Sequence, residues 1–168
     1  QEVGEPGAGI SGFSSNDGRT TIFDYWGVPM HQKWLNQGQY DGGQLPENRK
    51  HLRAYYVELM HFCRKYEAIR SGYFYDLQPL MAVHPGYSEQ VLSYLRFTDQ
   101  ECLLFICNFS NHQSFSFNMV LPEVILKMLN WTNQGNFKGV FGTKQEIIYD
   151  EGLNVEVPVL GSLVFHVS

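Results

Sequence analysis

Carboxylates and aromatic rings crowd the N-terminal stretch of this chain. Glu2, Glu5, Asp17, Arg19, Asp24 and Asp41 are interleaved with Tyr25, Trp26, Trp34 and Tyr40. Aromatic faces stack on the C–H faces of sugar rings, and Asp, Arg and Asn side chains bond paired hydroxyls, so the stretch carries the residue types of a sugar subsite. The same rings suit a plainer role, anchoring a long loop to a core, and on these residues alone that role is favoured. Cleaving a glycoside demands more: two carboxyl groups at a set separation across the scissile bond, one protonated and one ionised. The acids further along, Glu89, Asp99, Glu101, Asp150 and Glu151, fall mainly in turn sequences and read as solvated turn residues. No catalytic pair emerges, and no catalytic residue is assigned.

Other constellations are weaker. Glu58 and His61 have the Glu-x-x-His spacing of helical di-metal sites, but such sites need a second copy and further Glu residues from other helices. His31, His84, His112 and His166 are scattered, with no Cys or His partner at metal spacing. Neither a metal nor a cofactor is expected. The cysteines Cys63, Cys102 and Cys107 form no CxxC motif. Cys102 and Cys107 lie at odd separation in one strand-like run, so their side chains leave opposite faces and cannot bridge. Buried free thiols are the expectation, which leans toward a reducing compartment; no targeting signal is visible, and the compartment stays unknown. Asn108-Phe109-Ser110 and Asn130-Trp131-Thr132 match the glycosylation sequon, but the first falls inside an expected central strand.

The elements that must position these residues follow from spacing. Gln1 to Gly43 is rich in Gly, Ser, Asn and Asp, without a sustained period, and reads as a long loop. Pro46 and Glu47 open a helix whose apolar residues Leu52, Tyr55, Tyr56, Leu59, Phe62, Cys63, Tyr66 and Ile69 keep helical spacing until Ser71-Gly72. Beyond Gly72 the pattern changes to short strands: Tyr73 to Leu77, Val91 to Phe97, Cys102 to Phe109, Phe115 to Leu121, Phe137 to Phe141, Gln145 to Tyr149, Leu153 to Val157 and Ser162 to Val167. The apolar run from Cys102 should be central and covered on both faces. Glu123 to Leu129 fits one or two helical turns. The expected fold is mainly β, an antiparallel sandwich of about eight strands preceded by a long loop (1–45) and one amphipathic helix (46–70). The expected boundary is Ser71-Gly72, dividing 1–71 from an all-β domain at 72–168.

Composition closes off other classes. The chain has 168 residues, 43% hydrophobic and 17% charged, which describes a globular protein. A net charge of -5 without a run of Lys or Arg leaves no electrostatic footprint for nucleic acid or anionic lipid. Apolar stretches such as Leu103 to Cys107 are strand-sized, far short of a membrane span.

Gln1-Glu2-Val3-Gly4-Glu5 and Asp17-Gly18-Arg19-Thr20-Thr21-Ile22-Phe23-Asp24-Tyr25-Trp26 resemble the end of the catalytic barrel in the α-amylase family of glycoside hydrolases. Asn48-Arg49-Lys50-His51-Leu52-Arg53 and Ala68-Ile69-Arg70-Ser71-Gly72-Tyr73-Phe74 resemble that family's last barrel helix and its run into the C-terminal domain. Leu92-Ser93-Tyr94-Leu95-Arg96-Phe97 and Leu103 to Ser110 resemble its antiparallel C-terminal β-sandwich. The resemblance covers nearly the whole chain in collinear order. It implies that residues 1–71 are a remnant of a (β/α)8 barrel and that the loop faces the substrate side, where such barrels build their sites. Arg19, Asp24, Tyr25 and Trp26 then become substrate-binding residues of the intact parent.

The departure from the family is the missing acid set. Its nucleophile, acid/base and third acid come from the fourth, fifth and seventh barrel strands, which would precede Gln1. Asp17-Gly18-Arg19 lacks the apolar strand and the second Asp of the nucleophile motif. The resemblance therefore implies a C-terminal region that stabilises a parent acting on α-glucans and is inactive alone. Its partners would be the parent's catalytic barrel, α-glucan through that parent, and a second copy if the isolated fragment self-associates. The rival reading is a carbohydrate-binding β-sandwich module gripping glycan with Tyr87, Trp131 or Phe137.

Overall fold

The computed structural model describes residues 2–5, 28–130 and 134–168, with Gln134 known by its backbone. Contacts divide the chain into two compact units, Gln1–His61 and Phe62–Ser168.

In the first unit, the expected loop contains a helix. α1 spans Pro29–Leu35 and runs into a short 3-10 turn, Asn36–Gly38. Two turns are too few for an apolar period to stand out, and α1 owes its start to Pro29, whose preset φ suits a first helical position, and to a distant cap described below. Arg53 lies over the Trp34 ring, 5.0 Å from its centroid, and Tyr40 meets Trp34 edge-on at 6.1 Å. These rings anchor the segment to α2, which spans Glu47–Lys65.

The expected single helix over 46–70 breaks at Tyr66, which adopts an extended φ/ψ of -101°/123° before α3, Glu67–Arg70. Tyr66 is nonetheless buried. Phe62 before the break and Ala68 after it are buried in the second unit as well, while the backbone there is held by long-range contacts no local rule can supply.

The second unit starts with the last turn of α2, followed by α3, β1 (Tyr73–Asp76), the short α4 (Gln78–Met81), β2 (Val91–Phe97), β3 (Cys102–Asn108), β4 (Phe115–Met119), α5 (Glu123–Met128), β5 (Gln134–Phe141), β6 (Glu146–Asp150), β7 (Leu153–Val157) and β8 (Ser162–Val167). Six strands form one sheet in the order β1-β2-β3-β8-β5-β6, and β4 pairs with β7 in a second. All pairings are antiparallel. The expected mainly β, antiparallel sandwich of about eight strands is what forms.

Alternation explains the layers. One face of the large sheet presents Leu95, Leu104, Ile106, Phe137, Leu163, Phe165 and Val167, which cluster with Phe117, Met119, Leu153, Val155 and Val157 of the small sheet. β3 is central, and Leu103 on its opposite face is also fully buried. A strand covered on both sides reads as a continuous apolar run, as Cys102 to Phe109 did.

Asn108 ends β3 inside the fold. Its Nδ2 donates to the carbonyls of Gln113 at 2.7 Å and Pro158 at 3.0 Å, and its Oδ1 accepts from the Ser110 N–H at 2.8 Å. This sequon asparagine is a buried staple between two loops, spent on carbonyls rather than presented to solvent. Among the described residues no helix is long and apolar enough to cross a membrane.

Candidate functional site

One hairpin holds the helical start of the second unit against its sheet. β2 and β3 are joined by a turn closed by the Thr98 N–H donating to the Glu101 carbonyl at 2.8 Å. Arg96, near the end of β2, donates from Nε to the Ala68 carbonyl at 3.0 Å and from Nη2 to the Ile69 carbonyl at 2.9 Å. Glu101, just before β3, accepts the Ala68 N–H on Oε2 at 2.7 Å. The four-residue α3 thus has a cation on its carbonyls and a carboxylate on an early N–H, the arrangement favoured by a helix dipole. Each charge-assisted bond contributes about 1.5–3 kcal/mol in such settings. Ala68 is fully buried between them.

Beside this clamp the last turn of α2 lays Phe62 against Phe105 of β3, at 6.5 Å between centroids, and Phe141 of β5, at 4.9 Å. Tyr66 lies 5.1 Å from Phe62 and 6.4 Å from His166 of β8. Tyr94, directly opposite Phe105 in register, stacks on it at 4.6 Å with the rings 5° from parallel. Phe74 of β1 extends the row, 5.3 Å from Tyr94. The outer face of the large sheet is therefore an aromatic floor on which the helix end sits.

Burial pushes the Tyr94 hydroxyl up to about 12 and the Cys102 thiol up to about 12, and it also raises the Cys107 thiol. None supplies a base or a thiolate near neutrality. All three cysteines are free.

In the first unit two acids meet one imidazole. Glu5 Oε2 lies 3.0 Å from Nδ1 of His31, and Glu2 Oε1 lies 3.9 Å from its Nε2. The carboxylates engage opposite ring nitrogens of a side chain instead of facing an open gap. Glu58 and His61 are exposed on α2. Among the described residues no group of His, Cys, Asp and Glu converges as a metal site requires.

Arg19, Asp24, Tyr25 and Trp26, named from the sequence, lie outside the described residues. Of the aromatics suggested as a glycan platform, Phe137 is fully buried. Tyr87 is half-buried, its hydroxyl donating to Gln78 Oε1 at 2.7 Å and lying 2.8 Å from Ser93 Oγ, with its ring edge-on to Phe117. Both face the core because the inner surface of the sandwich needs large apolar rings. Trp131 is outside the described residues. Sequence reasoning missed the clamp by reading Glu101 as a solvated turn acid. The available signal was Arg96, the one charged residue of the Val91–Phe97 strand.

Residues 84–168 match the family model described as alpha amylase, C-terminal all-beta domain. The chain belongs to this family. The amylase C-terminal domain is thus assigned from His84, yet β1, which precedes the match, pairs with β2 from Tyr73↔Phe97 to Asp76↔Tyr94 and completes the domain's sheet. Among solved structures, the domain's fold is similar to that of an α-amylase from Geobacillus thermoleovorans complexed with acarbose, with a TM-score of 0.54 and 14% identity over 77% of this chain and 26% of that one. AmyP in complex with maltose matches with a TM-score of 0.51 and 12% identity over 73% of this chain and 22% of that one. An isomaltulose synthase mutant from Erwinia rhapontici NX5 in complex with D-glucose matches at 17% identity and a TM-score of 0.47, over 70% of this chain and 18% of that one. The chain thus spans about a quarter or less of the length of these proteins. No curated protein matches it in sequence.

Proposed function

We propose that this chain is the C-terminal region of an α-amylase-type glycoside hydrolase acting on α-glucans, and that it stabilises the parent's catalytic barrel without performing chemistry itself. Residues 1–71 are the end of that barrel, comprising the loop and the last helix, and 72–168 are the sandwich. The observation that carries this reading is the docking of the helix end on the sheet: Phe62 and Tyr66 on the aromatic floor, with Ala68 held by Arg96 and Glu101. A sandwich that grips the last barrel helix resists the fraying that would otherwise begin at the barrel's end. The exposed Tyr55, Val57 and Met60 on α2 supply apolar surface for the rest of the barrel to cover. Arg19, Asp24, Tyr25 and Trp26 contribute to the α-glucan site of the intact protein.

Support for the inactivity proposed comes from how three acids among the described residues are engaged. Glu5 and Glu2 are engaged with His31, and Glu101 with a backbone N–H. A glycosidase needs instead a rigid pair spaced for a sugar. The pure chain, incubated with soluble starch and maltooligosaccharides, should release no reducing sugar above buffer. Steady release that scales with protein would overturn the proposal. Titration calorimetry with soluble starch addresses the binding-module reading, for which binding of the isolated 72–168 surface is required and none is expected at millimolar sugar.

A further inference from the structure

α1 and the segment after it wall an open groove of about 700 Å³, within the first unit. Pro29 and Leu35 give it an apolar flank, while Lys33, Gln32, Gln37 and Gln44 bring an ammonium and three amides to the same opening. No carboxylate lines it among the described residues. Lys33 is half-buried, and among the described residues neither its ammonium nor the amides of Gln37 and Gln44 have an ion-pair or hydrogen-bond partner. A cation partly withdrawn from water is stabilised by an opposite charge, and the lining supplies none.

The walls are held from both ends. α1 is seven residues long, too short to be stable alone, and Val28 at its N-cap contributes no side-chain hydrogen bond. The cap comes instead from Glu5: the N–H groups of Met30 and His31 both donate to its Oε2, at 3.0 and 3.1 Å, and the Glu5 side chain is only 5% exposed. Past α1 the backbone turns left-handed at Asn36 (φ 45°), Gln37 (φ 57°) and Gly38 (φ 92°), and again at Tyr40 and Gly42. The Tyr40 and Gly42 N–H groups donate to the Leu35 and Trp34 carbonyls, each at 3.0 Å, and Asn36 Nδ2 donates to Asp41 Oδ1 at 2.7 Å. Glycine enters the left-handed region without the strain a side chain brings, so it would serve the backbone at position 37 better than glutamine does. What glutamine adds there is an amide in the groove lining.

We propose that this groove binds a small organic molecule carrying an oxyanion, a carboxylate or a phosphate ester, with Lys33 opposite the charge and Gln37 and Gln44 donating to its oxygens. An ammonium has only donors and a primary amide has two, so the lining selects a ligand rich in acceptors, and no acid repels an anion there. The volume suits a small molecule. Such a site is independent of the α-glucan activity proposed above, and either stands if the other fails.

The test titrates the full, isotope-labelled chain with inorganic phosphate, a glucose phosphate and malonate at fixed ionic strength and follows the backbone amide shifts. Saturating shifts at Lys33, Gln37 and Gln44 at millimolar probe support the site, and the probe that saturates first tells phosphate from carboxylate chemistry. Lys33→Gln should weaken that binding about tenfold or more, and added salt should weaken it in the wild type. Gln37→Gly should also bind about tenfold more weakly, yet its thermal midpoint should equal or exceed that of the wild type because the left-handed backbone is relieved. That combination separates loss of a ligand contact from loss of the fold. Shifts that fail to saturate with all three probes, or wild-type affinity in either variant, would overturn the proposal.

Discussion

Replacing Phe137 with alanine should cost about 3–5 kcal/mol of stability, read as a shift in the denaturant midpoint. The ring is fully buried in the sandwich core, 6.0 Å from Tyr149 and 6.1 Å from Phe165, which it meets edge-on. Truncation removes the transfer energy of the ring and leaves a void lined by side chains from both sheets, whose backbones are tied into ladders and cannot collapse to fill it. Against a typical net stability of about 5–15 kcal/mol, that loss is a large share. Phe137 is also the residue that best separates the two functional readings, because a platform ring would be nearly neutral to stability. A change below about 0.5 kcal/mol, the scale of surface substitutions, would place the ring outside the core.

Gly72→Ala should cost about 3 kcal/mol, the upper part of the range for overpacking. A Cβ on Gly72 would press on the Ala68 carbonyl oxygen and come within 2.6 Å of that of Phe97. Both obstacles are backbone, one from α3 and one from the end of β2, so no side chain can swing aside. Relief requires α3 to lift, which strips Ala68 and Ile69 from Arg96, or β1 to leave β2. Thermal unfolding of the variant checks the cost, and a midpoint equal to the wild type would mean that the joint is loose. Ser71-Gly72 is where the sequence places the domain boundary, and the glycine is required there by close approach of two backbones.

What the sequence made legible was local. The apolar run at Cys102 announced a central strand, the alternation in Leu153–Val157 a half-covered one, and the spacing from Leu52 to Cys63 a helix. Each is a pattern that one element's own geometry writes into its own residues. What stayed hidden depends on pairs far apart in the chain. Glu101 reaches Ala68 across 33 residues, Arg96 reaches it across 28, and Glu5 reaches His31 across 26. Those contacts explain the break at Tyr66 and the existence of α1, neither of which has a period to detect. Phe137 shows the same limit in a strand: alternation separates two faces but does not say which one meets the second sheet.

The clamp also gives the β2–β3 hairpin a second task. Its strands build the sandwich, and its turn-flanking charges hold the helix that connects to the rest of the protein.

Native-state hydrogen exchange at the Ala68 amide tests the central claim most directly, since that N–H is bonded to Glu101 and lies at the joint itself. If the helix end and the sandwich form one cooperative unit, Ala68 exchanges within about tenfold of the β3 amides and opens with them as denaturant is raised. Free exchange at Ala68, as in a frayed helix end, while β3 stays protected would contradict the account.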